Sequence, residues 1–165
     1  MSRDVKIAYL KSLQGYLWTQ GYASGSLRCP LFPDVAPSMK KWHAAGITII
    51  IYSSGSVAAQ KLLFQYTNAE PTPDLRSLIS DYFDTVNAGV KSDKESYEKI
   101  AKTRDVHIGK WLFLSDNVKE VQAAKGAGMK SFVVVREGNV PLSGDEREGN
   151  ILVGSFEEVK LKGEV

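Results

Sequence analysis

Ile47-Thr48-Ile49-Ile50-Ile51-Tyr52-Ser53-Ser54-Gly55-Ser56 is a nearly continuous β-branched run that ends abruptly in small polar residues. Such a run predicts a strand buried on both faces. VAAQKLLFQY (57–66) follows directly and has helical spacing, so the unit reads as strand, tight turn and helix. Outward from it the pattern recurs. WLFLSD (111–116) predicts a second buried strand, NVKEVQAAKGAG (117–128) its helix, and SFVVV (131–135) a third strand. Shorter strands are expected at 82–86 and 151–153. Helices are expected over 4–20, from an Asp34 cap through Lys41 and Trp42 to a stop at Gly46, near 75–80, over 93–104, and as a turn around Phe156. This alternation predicts an α/β protein with a parallel sheet and helices on both faces.

Ligands of open parallel sheets sit outside the carboxyl ends of the strands, which is where Ser53, Ser54, Lys91 and Asp116 fall. A serine at a strand end, followed by Ser-Gly at a helix start, offers a hydroxyl and unpaired N–H groups to an anion; its other reading is a plain helix cap. Lys91, in the turn NAGVK, would neutralise a phosphoryl group, or be one solvated lysine among many. Asp116 follows four largely apolar residues and suits Mg²⁺, or caps the next helix. Glu120, four residues on, could support such an ion. Arg136 could approach the same rim or pair with Glu137 or Glu146. His43 and His107 read as surface or packing residues, and Trp18, Trp42 and Trp111 as core.

Composition narrows the classes. In 165 residues, 43% are apolar and 24% charged, which is ordinary globular usage. Lys and Arg number 21 against 19 Asp and Glu, for a net charge of +2 without a basic stripe, so no nucleic-acid or membrane partner is expected. The single cysteine, Cys29, forms no intramolecular disulfide and lacks a second Cys at metal-site spacing. No apolar run approaches membrane-spanning length. The expected location is cytoplasmic, with nuclear presence allowed.

The ordered set IIIYSSGS, GVKSDKESYEKI, WLFLSDNVKE and VVVREGN resembles the haloacid dehalogenase-like phosphohydrolases, and within them the enolase-phosphatases of methionine salvage. LKSLQGYLWTQGYASGSL (10–27) resembles that family's junction between cap and core, so residues 1–27 are expected to be a cap remnant and 28–165 the core. The resemblance implies that Ser53 and Ser54 hold the substrate phosphate, Lys91 neutralises it, and Asp116 ligates one Mg²⁺. It also implies the reaction: enolisation of 2,3-diketo-5-methylthiopentyl-1-phosphate, then hydrolysis through an aspartyl-phosphate.

One departure stands out. The family's opening strand ends in Asp-x-Glu-Gly-Thr, whose first Asp is the nucleophile, and these 165 residues hold no such segment. The only similar patterns, at Asp145–Glu148 and at Asp93–Glu95, follow no apolar strand. No catalytic residue is therefore assigned, Mg²⁺ is expected to bind weakly, and the chain alone is expected to be inactive. Because that strand is central in the family's sheet, 47–52 and 111–115 are expected to flank an open position or to collapse together, unless a partner chain supplies it. Glu137 replaces the family's usual Pro. Two other readings remain: a non-catalytic phosphate- or metal-binding paralogue or fragment, and a generic phosphatase of the same superfamily.

Overall fold

A computed structural model describes residues 8–160, with side chains from residue 15 onward. In chain order the elements are α1 (Ala8–Ala23), α2 (Val35–Ala44), β1 (Ile49–Tyr52), α3 (Val57–Gln65), β2 (Ile79–Phe83), α4 (Lys94–Lys102), β3 (Leu112–Ser115), α5 (Val118–Gly126), β4 (Lys130–Val134), α6 (Gly144–Glu148) and β5 (Leu152–Val153). Short 3₁₀ turns lie at Arg76–Leu78, Ile108–Lys110 and Phe156–Glu158. All pairings are parallel, as expected. β2 departs from expectation: it occupies Ile79–Phe83, not 82–86, because Ile50 to Tyr52 pair with Asp81 to Phe83. Asp84 then ends the strand in a turn, accepting from the N–H groups of Val86 and Asn87. The amino end of the helix expected over 4–20 falls outside the described residues.

The ladder is interrupted. β1 pairs only with β2, and β3, β4 and β5 form a separate sheet in that order. Both half-sheets nevertheless share their covering layers. On one face Ile49, Leu112 and Leu114 pack with Trp42 of α2, Val153 and Val159. On the other, Tyr52 and Phe113 pack with Tyr97 and Ala101 of α4 and with Ala123 and Ala124 of α5. Tyr97 meets Tyr52 with ring centroids 5.5 Å apart and Phe113 at 4.9 Å, both nearly edge-on. One ring thus spans between β1 and β3, whereas neighbouring strands in a ladder lie about 4.8 Å apart. β1 and β3 do not pair with each other among the described residues, as expected of strands that flank a missing neighbour.

The break explains why both runs expected to be buried on two faces are half-exposed at every residue of β1 and β3. Val133 of β4, paired on both sides, is fully buried. Of the three tryptophans, Trp42 is in the core and Trp111 partly buried, but Trp18 on α1 is 38% exposed, contrary to expectation. α1 attaches instead through Tyr22, whose ring stacks on Tyr66 at 5.5 Å.

Hydrogen exchange should register the interruption, because protection follows local hydrogen bonding and burial. Amides of β4 are expected to exchange slowest, and those of β1 and β3 that face the break to exchange fast. Equal protection across β1, β3 and β4 would contradict an open edge.

Candidate functional site

β1 ends at Tyr52 and hands the chain to Ser53; β3 ends at Ser115 and hands it to Asp116. The two candidate loops therefore leave from opposite sides of the break. Lys91 connects them. Its Nζ lies 2.6 Å from Glu120 Oε2 and 5.8 Å from the centre of the Tyr52 ring, and Ser115 donates its hydroxyl to the same Glu120 oxygen at 2.7 Å. Both charged side chains are largely withdrawn from water, with 20% and 15% exposure. Glu120, expected beside a metal, is thus the counter-charge of Lys91.

The cradle at Ser53–Ser56 is more self-contained than its sequence suggests. Ser53 Oγ accepts from the Gly55 N–H at 3.1 Å, and Ser56 caps α3 by accepting from the Ala59 N–H. Asp84 of the neighbouring strand end accepts from the Val57 N–H at 3.0 Å. Gln60 donates through Nε2 to the carbonyls of Gly55 and Phe83, fixing the turn from beneath. What remains for an anion is the Ser53 and Ser54 hydroxyls and the N–H groups of Ser54 and Ser56, none of which donates to another described group. The N–H groups of Asn87, Val57 and Val86 hold the Asp84 carboxyl below the usual carboxylate range.

Asp116 is exposed, and Asn117, not Asp116, caps α5. One Asp116 oxygen accepts from Asn139 Nδ2 at 3.1 Å, and Asn139 Oδ1 accepts from the Arg136 N–H at 2.6 Å. Arg136 pairs with neither Glu137 nor Glu146. Its guanidinium binds Asp34 and the Gly154 carbonyl and lies against the rings of Phe32 and Phe156, at 4.8 and 5.5 Å. Asp34 sits at the start of α2 yet makes no side-chain cap there. It accepts from Arg136, Ser155 and the Phe156 N–H instead. Burial opposes its ionisation, but these donors outweigh burial and lower its pKa.

Among the described residues no three His, Cys, Asp or Glu side chains converge on a point that could hold a metal. Asp116 is a lone carboxylate, and Glu120 is already engaged by Lys91 and Ser115. The described residues by themselves therefore do not fit the Mg²⁺ ion that the family resemblance implies. His107 accepts from the Gly109 N–H at its own turn, and His43 lies in the last turn of α2. Burial pushes the Cys29 thiol up, away from nucleophilic use. Tyr52, Asp84, Ser96, Tyr97 and Asn139 were not read as site residues from sequence. The signal available for two of them was the Ser-Tyr pair shortly after Gly-Val-Lys in GVKSDKESY.

Comparison with known proteins shows the family and the fold. Residues 9–128 match the haloacid dehalogenase-like hydrolase family. An Enolase-phosphatase E1 of Botryotinia fuckeliana is 59% identical over 177 aligned residues, covering all of this chain and 69% of the relative. That of Podospora anserina is 61% identical over 96% of the chain and 68% of its own length. The crystal structure of the UTR4 protein of Saccharomyces cerevisiae superposes with a TM-score of 0.84 at 38% identity, covering 94% of this chain and 69% of that one. CbbY of Rhodobacter sphaeroides, solved in complex with phosphate, shares the fold at a TM-score of 0.69 and 20% identity.

The depressed carboxyls have a consequence for acid stability. A carboxyl whose folded pKa lies below its unfolded value contributes stability above the unfolded value, about pH 4, and loses it as pH falls toward the folded one. Urea-unfolding free energy is therefore expected to fall steeply below about pH 4, with a shallower slope in Asp84→Asn. An unchanged slope in that variant would remove Asp84 from the acid-sensitive groups.

Proposed function

The chain belongs to the haloacid dehalogenase-like hydrolases and, within them, to the enolase-phosphatases, and from that premise we propose that it serves the enolisation and dephosphorylation of a diketone phosphate in methionine salvage, 2,3-diketo-5-methylthiopentyl-1-phosphate. The observation that carries this reading is the position of Lys91, whose ammonium lies 5.8 Å from the Tyr52 ring at the end of β1 and pairs with Glu120, which in turn holds Ser115 at the end of β3. A phosphate held by the hydroxyls of Ser53 and Ser54 and the free N–H groups of Ser54 and Ser56 would lie beside it. Phosphate arrives with between one and two negative charges at neutral pH. It is thus a stronger partner for Lys91 than a single Glu120 carboxylate, and Lys91 exchanges one for the other on binding.

Two parts of the chemistry are assigned to no residue among these 165. A carboxylate nucleophile attacks phosphorus only when a strand end holds it in line with the phosphate. A further strand seated between β1 and β3 would end between Ser53 and Asp116, where that requirement is met. We read residues 1–27 as a remnant of a cap and its junction and 28–165 as the core, of which the structure describes 8–160. Mg²⁺, which the family's chemistry calls for, needs oxygen ligands in addition to Asp116. The described helices include none long and apolar enough to cross a membrane.

Isothermal calorimetry with inorganic phosphate tests the cradle. Lys91→Ala is expected to weaken binding by about 1–3 kcal/mol, the worth of a charge-assisted contact. Glu120→Gln should tighten it several-fold, because it removes the competing charge. Equal affinity in the wild type and Lys91→Ala would take Lys91 out of the site. For the reaction, magnesium-dependent phosphate release is expected from a chimaera that adds the segment of the Botryotinia relative lying outside the aligned region. The 165-residue chain alone is expected to release none, and turnover by it that Asp116→Asn abolishes would overturn the need for a further strand.

A further inference from the structure

Lys91 sits in a loop that its own packing does not hold. Val90 beside it is 55% exposed, and no strand pairs with the loop. Yet the carbonyls of Gly89, Val90 and Lys91 each accept from a different side-chain hydroxyl. Tyr52 donates to Gly89 O at 2.7 Å, Ser96 to Val90 O at 2.8 Å, and Tyr97 to Lys91 O at 2.7 Å. The donors come from two elements, the last residue of β1 and the first turns of α4.

We propose that Tyr52, Ser96 and Tyr97 are positioning residues that pin the Gly89–Lys91 backbone and thereby aim the Lys91 ammonium at the anion cradle. This rests on the phosphate-site reading of Ser53 and Lys91. Because a carbonyl only accepts, each hydroxyl is oriented with its proton toward the loop. Neither tyrosine can shift without disturbing the core. Tyr97 is 1% exposed and wedged edge-on between Tyr52 and Phe113. Ser96 is 3% exposed, and its hydroxyl leaves no room above Gly89. That glycine has φ +128°, and a Cβ on it would lie 2.5 Å from Ser96 Oγ. The loop is therefore fitted to the hydroxyl row both by hydrogen bonds and by the absence of a side chain.

The hydroxyls also remain protonated at working pH. Burial raises both tyrosines, and the negative charge of Glu120 adds to it. The arrangement does two things for a lysine otherwise free to swing. It fixes the root of the side chain while leaving the four-carbon stem to move the ammonium between Glu120 and a bound anion. It also ties the root to both halves of the interrupted sheet, since Tyr52 belongs to β1 and Tyr97 packs on Phe113 of β3.

The test compares wild type, Tyr97→Phe and Ser96→Ala, which remove a hydroxyl and little else, by two readouts. In the first, amine acylation is followed residue by residue by mass spectrometry. Labelling of Lys91 is expected to rise about threefold or more in each variant, in keeping with loss of one hydrogen bond, while Lys110 and Lys119 keep their wild-type rates. In the second, phosphate affinity is expected to fall about 3- to 10-fold in Tyr97→Phe, but to fall no further when Tyr97→Phe is added to Lys91→Ala. Unchanged Lys91 labelling in both variants, a uniform rise at all lysines, or an equal phosphate loss with and without Lys91 would overturn the proposal. If wild type binds no phosphate, the cradle reading fails, and the labelling alone decides whether the hydroxyls position Lys91. Should Tyr97→Phe fail to fold, Ser96→Ala carries both readouts.

Discussion

Every backbone N–H and C=O in a parallel sheet needs a partner, and here the ladder stops between β1 and β3. The rest of the structure is arranged around that stop. Helices α2, α4 and α5 cover both half-sheets as if the sheet were continuous, and the apolar clusters on each face draw residues from both sides. What joins the halves is therefore side-chain packing and a few polar contacts, not main-chain hydrogen bonds. Tyr97 is the central piece, since its ring touches both strands while its hydroxyl reaches the Lys91 loop.

The same division runs through the candidate site. Ser53 and Ser54 leave from one half-sheet, Ser115 and Asp116 from the other, and Lys91 reaches between them by way of Glu120. An ion pair of this kind, with both partners mostly withdrawn from water, is costly to break from one side only, because it leaves a buried charge unpaired. On the proposed reading, a phosphate replacing Glu120 as the partner of Lys91 would spare Lys91 that penalty. Glu120 would keep the hydrogen bond from the Ser115 hydroxyl.

Strand and helix periodicity made the fold class, the parallel sense of the strands and the strand-end location of Ser53 and Asp116 readable from the sequence, whereas Lys91 lies in a loop well past β2, which ends at Phe83. Periodicity reports burial along a segment, so ITIIIY and WLFLSD could not by themselves disclose that their shared edge lies open. Pairings distant in sequence were out of reach for the same reason. Arg136 was read against its acidic neighbours Glu137 and Glu146. Its partner is Asp34, 102 positions away, because the loop after β4 folds back over the start of α2. Glu120 was read by its helical spacing from Asp116, and that spacing says nothing about Lys91 arriving from another loop. The tyrosines were hidden by their ring size: Tyr52 and Tyr97 register as core aromatics in any apolar pattern, and only the hydroxyl end gives them a second use.

A second joint closes the opposite face by a different physical means. Arg136, stacked on Phe32 and Phe156 and bound to Asp34, ties the start of α2 to the carboxyl-terminal segment. From the same loop, Asn139 accepts from the Arg136 N–H and donates to Asp116. The orientation of Asp116 is thus referred, through one loop, to a buried ion pair rather than to β3 alone. Lys91 is likewise referred to the core through hydroxyls rather than to a strand. In both cases a residue on a short, irregular loop takes its position from the packed interior. That is how a sheet interrupted at its middle can still hold charged groups in register at its carboxyl end.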